Sequence, residues 1–203
     1  MRFEINSAGI AVGEAFSAPP NEVSRAVVWM NGVITDLSTL GSVKKAVANS
    51  INDQGRIVGG SGGRAVTWDA QGIRDLGTIS TVESATSRAA MINSAGHVVG
   101  RSQTDILSAT GSRVTHAFLW NGSSMQDLGT LGASTNFSDA FAVNDSSVVV
   151  GEAAVESGTY HAWMWRNGGI RNSNAIFGAS EKIGAGKCRE PSGSRLSRGA
   201  WAK

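Results

Sequence analysis

Charged and polar side chains recur at two positions of this 203-residue sequence, each at a fixed distance from a tryptophan. The first position, four residues before the tryptophan, is filled by Arg25, Arg64, His116 and His161. The second, seven residues after it, is filled by Asp36, Asp75, Asp127 and, in the last copy, Asn172. A ring of cations could bind an anion, and carboxylates could serve acid–base or metal chemistry. An active site, however, needs unlike groups whose pKa values are driven apart. Recurrence therefore favours structural roles, in which the cation closes a buried strand and the carboxylate caps a turn.

Positions that differ between the copies are better candidates for binding. Glu14, Arg101 and Glu152 each follow a repeated glycine and begin segments of variable length. Those segments are residues 14–24, 60–63, 101–115 and 152–160. Equivalent loops of stacked units emerge on one rim, and binding residues concentrate on loops held by a rigid scaffold. The candidate binding residues are Glu14, Arg101 and Glu152, together with Arg25, Arg64, His116 and His161; simple solvent exposure of the loops is the alternative.

Known catalytic and metal-binding patterns are missing from the sequence. There is no HExxH motif and no phosphate-binding loop. The Asn52-Asp53 and Asn144-Asp145 pairs offer fewer oxygens than the six to eight that calcium takes. We therefore predict no enzyme activity, no catalytic residue, no metal and no cofactor.

The tryptophans mark four copies of one unit, and we expect them to be core residues. They are Trp29, Trp68, Trp120 and Trp165. Upstream of them stand INSAGIAVG (5–13), INDQGRIVG (51–59), INSAGHVVG (92–100) and VNDSSVVVG (143–151), whose last glycines are 46, 41 and 51 residues apart. Such periods are typical of stacked supersecondary units that bury their apolar faces against one another.

Each copy reads as four short strands. The Asn-x-x-Gly stretch suits a type I turn between two apolar strands, and the fourth copy, with Ser147 in place of glycine, should have a more strained or different turn. The tryptophan strand is apolar on both faces, which is typical of a sheet packed between other layers. We predict an all-β fold: a β-propeller-like array of about four four-stranded antiparallel blades. A stacked solenoid or prism is the alternative, and an incomplete ring is open because four blades is the lower limit for propellers.

The repeat domain should span residues 1–177, in units of about 1–40, 46–79, 87–132 and 138–177. Residues 178–203 are a non-repeated basic tail that we expect to be disordered. This tail holds six of the 18 Lys and Arg residues, while the rest of the chain carries 12 basic and 14 acidic residues. No nucleic acid partner is therefore predicted. The sequence also shows no transmembrane segment and no signal peptide.

Three co-spaced motifs resemble the HAF family of bacterial repeats: HAFLW (116–120), INSAGHVVG (92–100) and DLGTLG (127–132). The resemblance covers roughly residues 3–177, although Arg25 and Arg64 replace the histidine and Asn172-Ser173 replaces Asp-Leu. It implies an extracellular or cell-surface location and no established catalytic activity. We expect a non-enzymatic binding or scaffolding module for a protein or carbohydrate ligand, and a fragment of a longer chain; whether the tail is a frameshift stays open.

Two alternatives to that function stay open. One is a carbohydrate-active enzyme that uses Glu14 and Glu152 as a carboxylate pair on the rim. The other is an intracellular protein-interaction platform. The sequence leaves the identity of the ligand, the closure of the ring and the oligomeric state undetermined.

Overall fold

The structure, a computed structural model, describes residues 4–16, 23–42, 45–132, 137–155 and 159–173. Within these ranges the chain forms sixteen β-strands. The basic tail, 178–203, lies outside the described residues.

The strands form four antiparallel sheets, each built from consecutive strands in chain order. Sheet 1 contains β1 (Glu4–Ile5), β2 (Ala11–Phe16), β3 (Ser24–Met30) and β4 (Val33–Asp36). Sheet 2 contains β5 (Ala46–Ile51), β6 (Ile57–Ser61), β7 (Arg64–Asp69) and β8 (Gly72–Gly77). Sheet 3 contains β9 (Ser87–Ile92), β10 (Val98–Leu107), β11 (Arg113–Trp120) and β12 (Met125–Asp127). Sheet 4 contains β13 (Ser138–Val143), β14 (Val149–Ala154), β15 (Tyr160–Arg166) and β16 (Gly169–Asn172).

The predicted all-β, propeller-like array is confirmed. Residues of β1, β5, β9 and β13, the first strand of each sheet, line one shared cavity. Consecutive sheets pack face to face, with β2 and β3 against β5, β6 and β7 against β9, and β10 and β11 against β13. The described chain thus has three inter-sheet interfaces, each with its own apolar cluster.

Each inter-sheet interface joins two different faces. One face carries the tryptophan and points toward the preceding sheet; we call it the indole face. The other carries the valine directly before the repeated glycine and points toward the following sheet; we call it the receiving face. In the middle interface, Phe118 and Trp120 of sheet 3 pack on Val58 and Ala65 of sheet 2, and the guanidinium of Arg74 lies 5.4 Å from the Trp120 ring centre. Both faces are apolar because both are covered, which explains the two-sided apolar pattern of the tryptophan strand.

The tryptophans do not all share one environment. Trp68, Trp120 and Trp165 are buried, with exposures of 3%, 3% and 9%, whereas Trp29 is 55% exposed. The expectation of a core position is therefore wrong for Trp29. The physical reason is that, among the described residues, no sheet lies before sheet 1 to cover its indole face.

The repeated glycine before each variable loop is required by close backbone contact. The first strand of sheets 2, 3 and 4 is bulged opposite this glycine. A Cβ atom on Gly100 would lie 2.0 Å from the carbonyl oxygen of Arg88, and one on Gly59 or Gly151 would meet the corresponding carbonyl equally closely. No side chain fits at that distance, so the glycine permits the bulge.

The Asn-x-x-Gly turns hold the sheets together as well as reversing the chain. The Asn6, Asn52, Asn93 and Asn144 side-chain oxygens accept backbone N–H groups of their own turns. Asn6 Nδ2 also donates to the Asn52 carbonyl at 3.2 Å, Asn52 Nδ2 to the Asn93 carbonyl at 3.1 Å, and Asn93 Nδ2 to the Asn144 carbonyl at 2.8 Å. We call this series the asparagine ladder.

The fourth turn keeps the geometry of the other three despite its serine. Ser147 has a φ of 58°, in the left-handed region where Gly9, Gly55 and Gly96 stand in the other copies. Its N–H bonds to the Asn144 carbonyl at 3.0 Å, as the glycine N–H does elsewhere. The turn type is therefore unchanged, and the serine carries the strain of a positive φ.

Candidate ligand-binding site on the loop rim

The repeated cation and carboxylate positions form pairs within each sheet. The pairs join the third strand to the fourth: Arg25 with Asp36 at 2.8 Å, Arg64 with Asp75 at 3.0 Å, His116 with Asp127 at 2.9 Å and His161 with Asn172 at 3.1 Å. The third and fourth strands are the outer ones of each sheet. None of the eight side chains lines either of the two cavities, of about 670 and 640 Å³, that are described below. The pairing occupies these groups in cross-strand contacts.

The His116–Asp127 pair shows how such a contact is balanced. Burial of the Asp127 carboxyl opposes ionisation. Hydrogen bonds from His116 and from the Gly129 N–H outweigh it and lower the pKa of Asp127 below its ordinary value. The carboxylate thus caps the turn that follows β12, at 2.8 Å from the Gly129 nitrogen.

The variable loops between the second and third strands of sheets 1, 2 and 3 border a cavity of about 670 Å³, which we call the rim cavity. Its basic lining residues are Lys45, Arg88 and Arg101, and its acidic one is Glu14. The carboxylate of Glu14 accepts a hydrogen bond from Ser24. Of the candidates from the variable loops, Glu14 and Arg101 line this cavity, whereas Glu152 does not.

A smaller recess of about 260 Å³ shares Arg88 and Arg101 with the rim cavity and adds Asn49 and Asp139. Arg88 Nη2 donates to Asn49 Oδ1 at 3.1 Å, and Arg101 Nη1 donates to Asp139 Oδ2 at 3.1 Å. Each guanidinium is therefore tethered by one partner from another sheet. Tethered cations lose less side-chain entropy when a ligand binds.

Asp139, which lines the smaller recess, has a raised pKa. Burial raises its pKa above the ordinary value, the charge of Arg101 opposes that rise, and the nearby charge of Glu152 adds to it. Asp139 and Glu152 are cross-strand partners on β13 and β14. A partly buried carboxyl beside a second carboxylate is a group with acid–base potential.

A second cavity, at the end of the sheets opposite the rim cavity, has an acidic lining. This cavity of about 640 Å³ lies among the Asn-x-x-Gly turns, and its lining includes Glu4, Asp53 and Asp145 but no lysine or arginine. Asp53 and Asp145 accept hydrogen bonds from Ser7 and Ser94, which lower their pKa values. The described residues contain no group of three or more His, Cys, Asp or Glu that could hold a metal ion.

Sequence reasoning missed Lys45, Arg88, Gln103 and Asp139. Arg88, Asp139 and Val47 occupy the same position in the first strands of sheets 3, 4 and 2. In each sheet this position lies opposite the residue that follows the repeated glycine: Arg101, Glu152 and Gly60. A strand position that changes from valine to arginine to aspartate among otherwise similar copies was the available signal. Lys45 carried no such signal because it lies outside the variable segments, and Gln103, although it lies within residues 101–115, was not distinguished by its residue type.

The sequence matches no protein-family model, and no curated protein matches it. Among solved structures, the chain is similar to the β-propeller domain of the trilobed protease from Pyrococcus furiosus, described as having an open velcro topology. The TM-score is 0.51 at 12% sequence identity, and the match covers 80% of this chain and 50% of that one. This chain therefore spans about half the length of that structure. The similarity establishes the fold alone: the chain is a β-propeller-like protein.

Within the ranges that the structure describes, no helix is both long and apolar enough to cross a membrane.

Proposed function

We propose that this chain is a non-enzymatic binding module of a bacterial extracellular or cell-surface repeat protein, and that its rim cavity takes an acidic carbohydrate. The location rests on the resemblance of its repeats to the HAF family. The binding role rests on one observation: Lys45, Arg88 and Arg101 converge on a cavity bordered by loops of three sheets, against a single lining carboxylate.

The chemistry of the lining favours a sugar acid. Arginine binds carboxylates through paired, charge-assisted hydrogen bonds. Ser24, Thr86 and Gln103 place polar side chains on the same wall, where sugar hydroxyls need partners. Phe16 is 52% exposed at the edge of the cavity and offers an apolar surface for the face of a sugar ring.

Calorimetry with oligogalacturonate and with a neutral oligosaccharide of equal length tests this proposal. The acidic sugar should bind, and its affinity should fall as salt rises, because exposed charges are screened. Arg88→Gln and Arg101→Gln should each weaken binding at least tenfold. Arg56→Gln is the matched control, since Arg56 pairs with Asp69 outside the rim cavity. Equal affinity for both sugars, or no loss in either cavity variant, would contradict the proposal.

A carbohydrate-active enzyme is the second candidate, and Asp139 is the observation that favours it. A carboxyl with a raised pKa beside a second acidic side chain is the arrangement that glycoside hydrolysis uses. The expected pair of Glu14 and Glu152 is divided between sheets 1 and 4, so Asp139 and Glu152 replace it in this candidate. Mass spectrometry of the same sugars after long incubation distinguishes the two: intact sugars support binding, and shortened products that vanish with Asp139→Asn support hydrolysis.

A further inference from the structure

The two ends of the sheet array expose the two halves of one interface. Among the described residues no sheet precedes sheet 1, and Trp29, Ile34 and Ile5 on its indole face are 55%, 63% and 66% exposed. No described sheet follows sheet 4, and Val150 on its receiving face is 44% exposed. Exposed apolar side chains grouped on one face are typical of interaction sites.

The equivalent residues at the interior interfaces are buried. Ile51, Ile92 and Val143 stand where sheet 1 has Ile5, and their exposures are 5%, 3% and 3%. Val12, Val58 and Val99 stand where sheet 4 has Val150, and their exposures are 2%, 0% and 0%. At these positions the end faces carry side chains like those of an interface that this chain already forms three times, although Ser173 replaces the leucine of the other receiving faces.

These faces are complementary to each other and not to themselves. An indole face packs on a receiving face in every interior interface, as Trp165 and Trp163 of sheet 4 pack on Val99 and Leu119 of sheet 3. Their exposure shows that sheets 1 and 4 do not cover each other within one chain. A second copy presents the missing partner for both.

The asparagine ladder also runs in one direction, from each sheet to the sheet that follows it. Each side-chain amide in the ladder donates to the turn carbonyl of the following sheet. Asn144 is the last member, and no fifth sheet follows it within the described residues. The Asn6 carbonyl of a second copy would stand at the next position.

We propose that two copies of this chain associate head to tail, with sheet 4 of each copy against sheet 1 of the other, and close a ring of eight sheets. Two identical contacts related by a twofold axis close such a ring, and eight blades lies within the range of propellers. The match of this chain to half of a propeller domain agrees with a half-ring. This inference is independent of the ligand of the rim cavity.

Light scattering coupled to gel filtration, on the 203-residue chain of 21.0 kDa, is the first test. A mass of about twice that value at 1–100 µM is expected. A chain that stays monomeric at 100 µM overturns the proposal and assigns the faces to further repeats of a longer chain. A larger, open-ended series of masses overturns closure by two copies.

Variants separate the head-to-tail contact from other dimers. Trp29→Glu and Val150→Glu should each raise the dimer dissociation constant at least tenfold, because each spoils both contacts of the ring. Leu107→Glu, on the long β10–β11 hairpin and 58% exposed, is the matched control and should leave the dimer unchanged. A dimer that survives Val150→Glu uses another surface and overturns the proposal.

Mixing supplies the last measurement. Equal amounts of the Trp29→Glu and Val150→Glu chains should form a heterodimer through the one undamaged contact, whereas neither variant does so alone. Absence of that heterodimer contradicts the head-to-tail geometry. Circular dichroism with Ile34→Lys as a second indole-face variant checks that loss of the dimer does not come from unfolding.

Discussion

The interior and the ends of this array differ in burial although they use similar side chains in the same register. Trp120 on sheet 3 and Trp29 on sheet 1 are both flanked by apolar residues on the same strand, yet the first is 3% and the second 55% exposed. The difference lies in the neighbour that covers the strand. A repeat unit of this type is therefore stable as part of a stack and cannot bury its own apolar faces alone.

The energetic consequence of that difference is large. A fully buried tryptophan removes roughly 150–250 Å² from water. At about 25 cal/mol/Å² this contributes roughly 4–6 kcal/mol as an upper bound. The interior sheets gain this term on folding, and the end faces gain it only when another sheet covers them.

Replacing the two tryptophans separately gives the largest expected difference. Trp120→Ala should lower the free energy of unfolding by about 3–5 kcal/mol, because it opens a cavity between sheets 2 and 3. Trp29→Ala should change it by less than about 1 kcal/mol at concentrations too low for two copies to associate. Urea unfolding measures both values. Equal losses would show that sheet 1 is covered in solution by something within the chain.

Asparagine variants test the ladder with a smaller effect. Asn93→Asp keeps the oxygen that holds its own turn but loses the donor to the Asn144 carbonyl, so it should cost about 1–3 kcal/mol. Asn144→Asp keeps the same turn, and because it lies at the exposed end of the ladder it should cost less than about 0.5 kcal/mol. Thermal unfolding of the matched pair measures the contrast. A similar cost at both positions would mean that the turn, and not the inter-sheet bond, provides the stabilisation.

The smallest expected effect is a change in how the free energy of unfolding depends on pH, to which Asp139 contributes. Because its pKa is raised in the folded state, the folded chain holds this proton over a range where the unfolded chain has released it. Its contribution therefore falls as pH rises from the ordinary aspartate value through the raised one. Asp139→Asn should remove that fall, which urea unfolding between pH 3 and 7 would detect. Asp127, whose pKa is lowered, should make the free energy of unfolding rise with pH from the lowered pKa to the ordinary aspartate value. Asp127→Asn should remove that rise, so the two variants should change the pH dependence in opposite directions.

Much of the fold could be predicted because the same sequence pattern occurs in four copies, each of which indicates the same arrangement of strands. Gly59, Gly100 and Gly151 recur since the bulged strand leaves no room for a side chain. The exposure of Trp29 could not be read from its strand, because burial depends on a sheet that no residue of the strand specifies. The role of Asn52 was seen only in part: its turn is local, whereas its bond to the next sheet requires the packed array.

The site was harder to predict than the fold. Arg101 and Glu14 were identified as candidates because their loops vary between the copies, and both line the rim cavity. Arg64 and His116 were considered as members of a ring, and the structure pairs each with the aspartate of the adjoining strand. That pairing depends on strand register, which a spacing of eleven residues along the chain does not reveal without the turn between them.

The asparagine ladder has a consequence for how such proteins lengthen during evolution. Each interior asparagine receives a bond from the unit before it and gives one to the unit after it. A gene duplication that copies a whole unit therefore inserts an asparagine that can bond to the units on both sides. A duplication of half a unit would interrupt this series of hydrogen bonds. Growth and shrinkage in whole units should leave the neighbouring units intact, so the number of units can change by recombination without redesign of any joint.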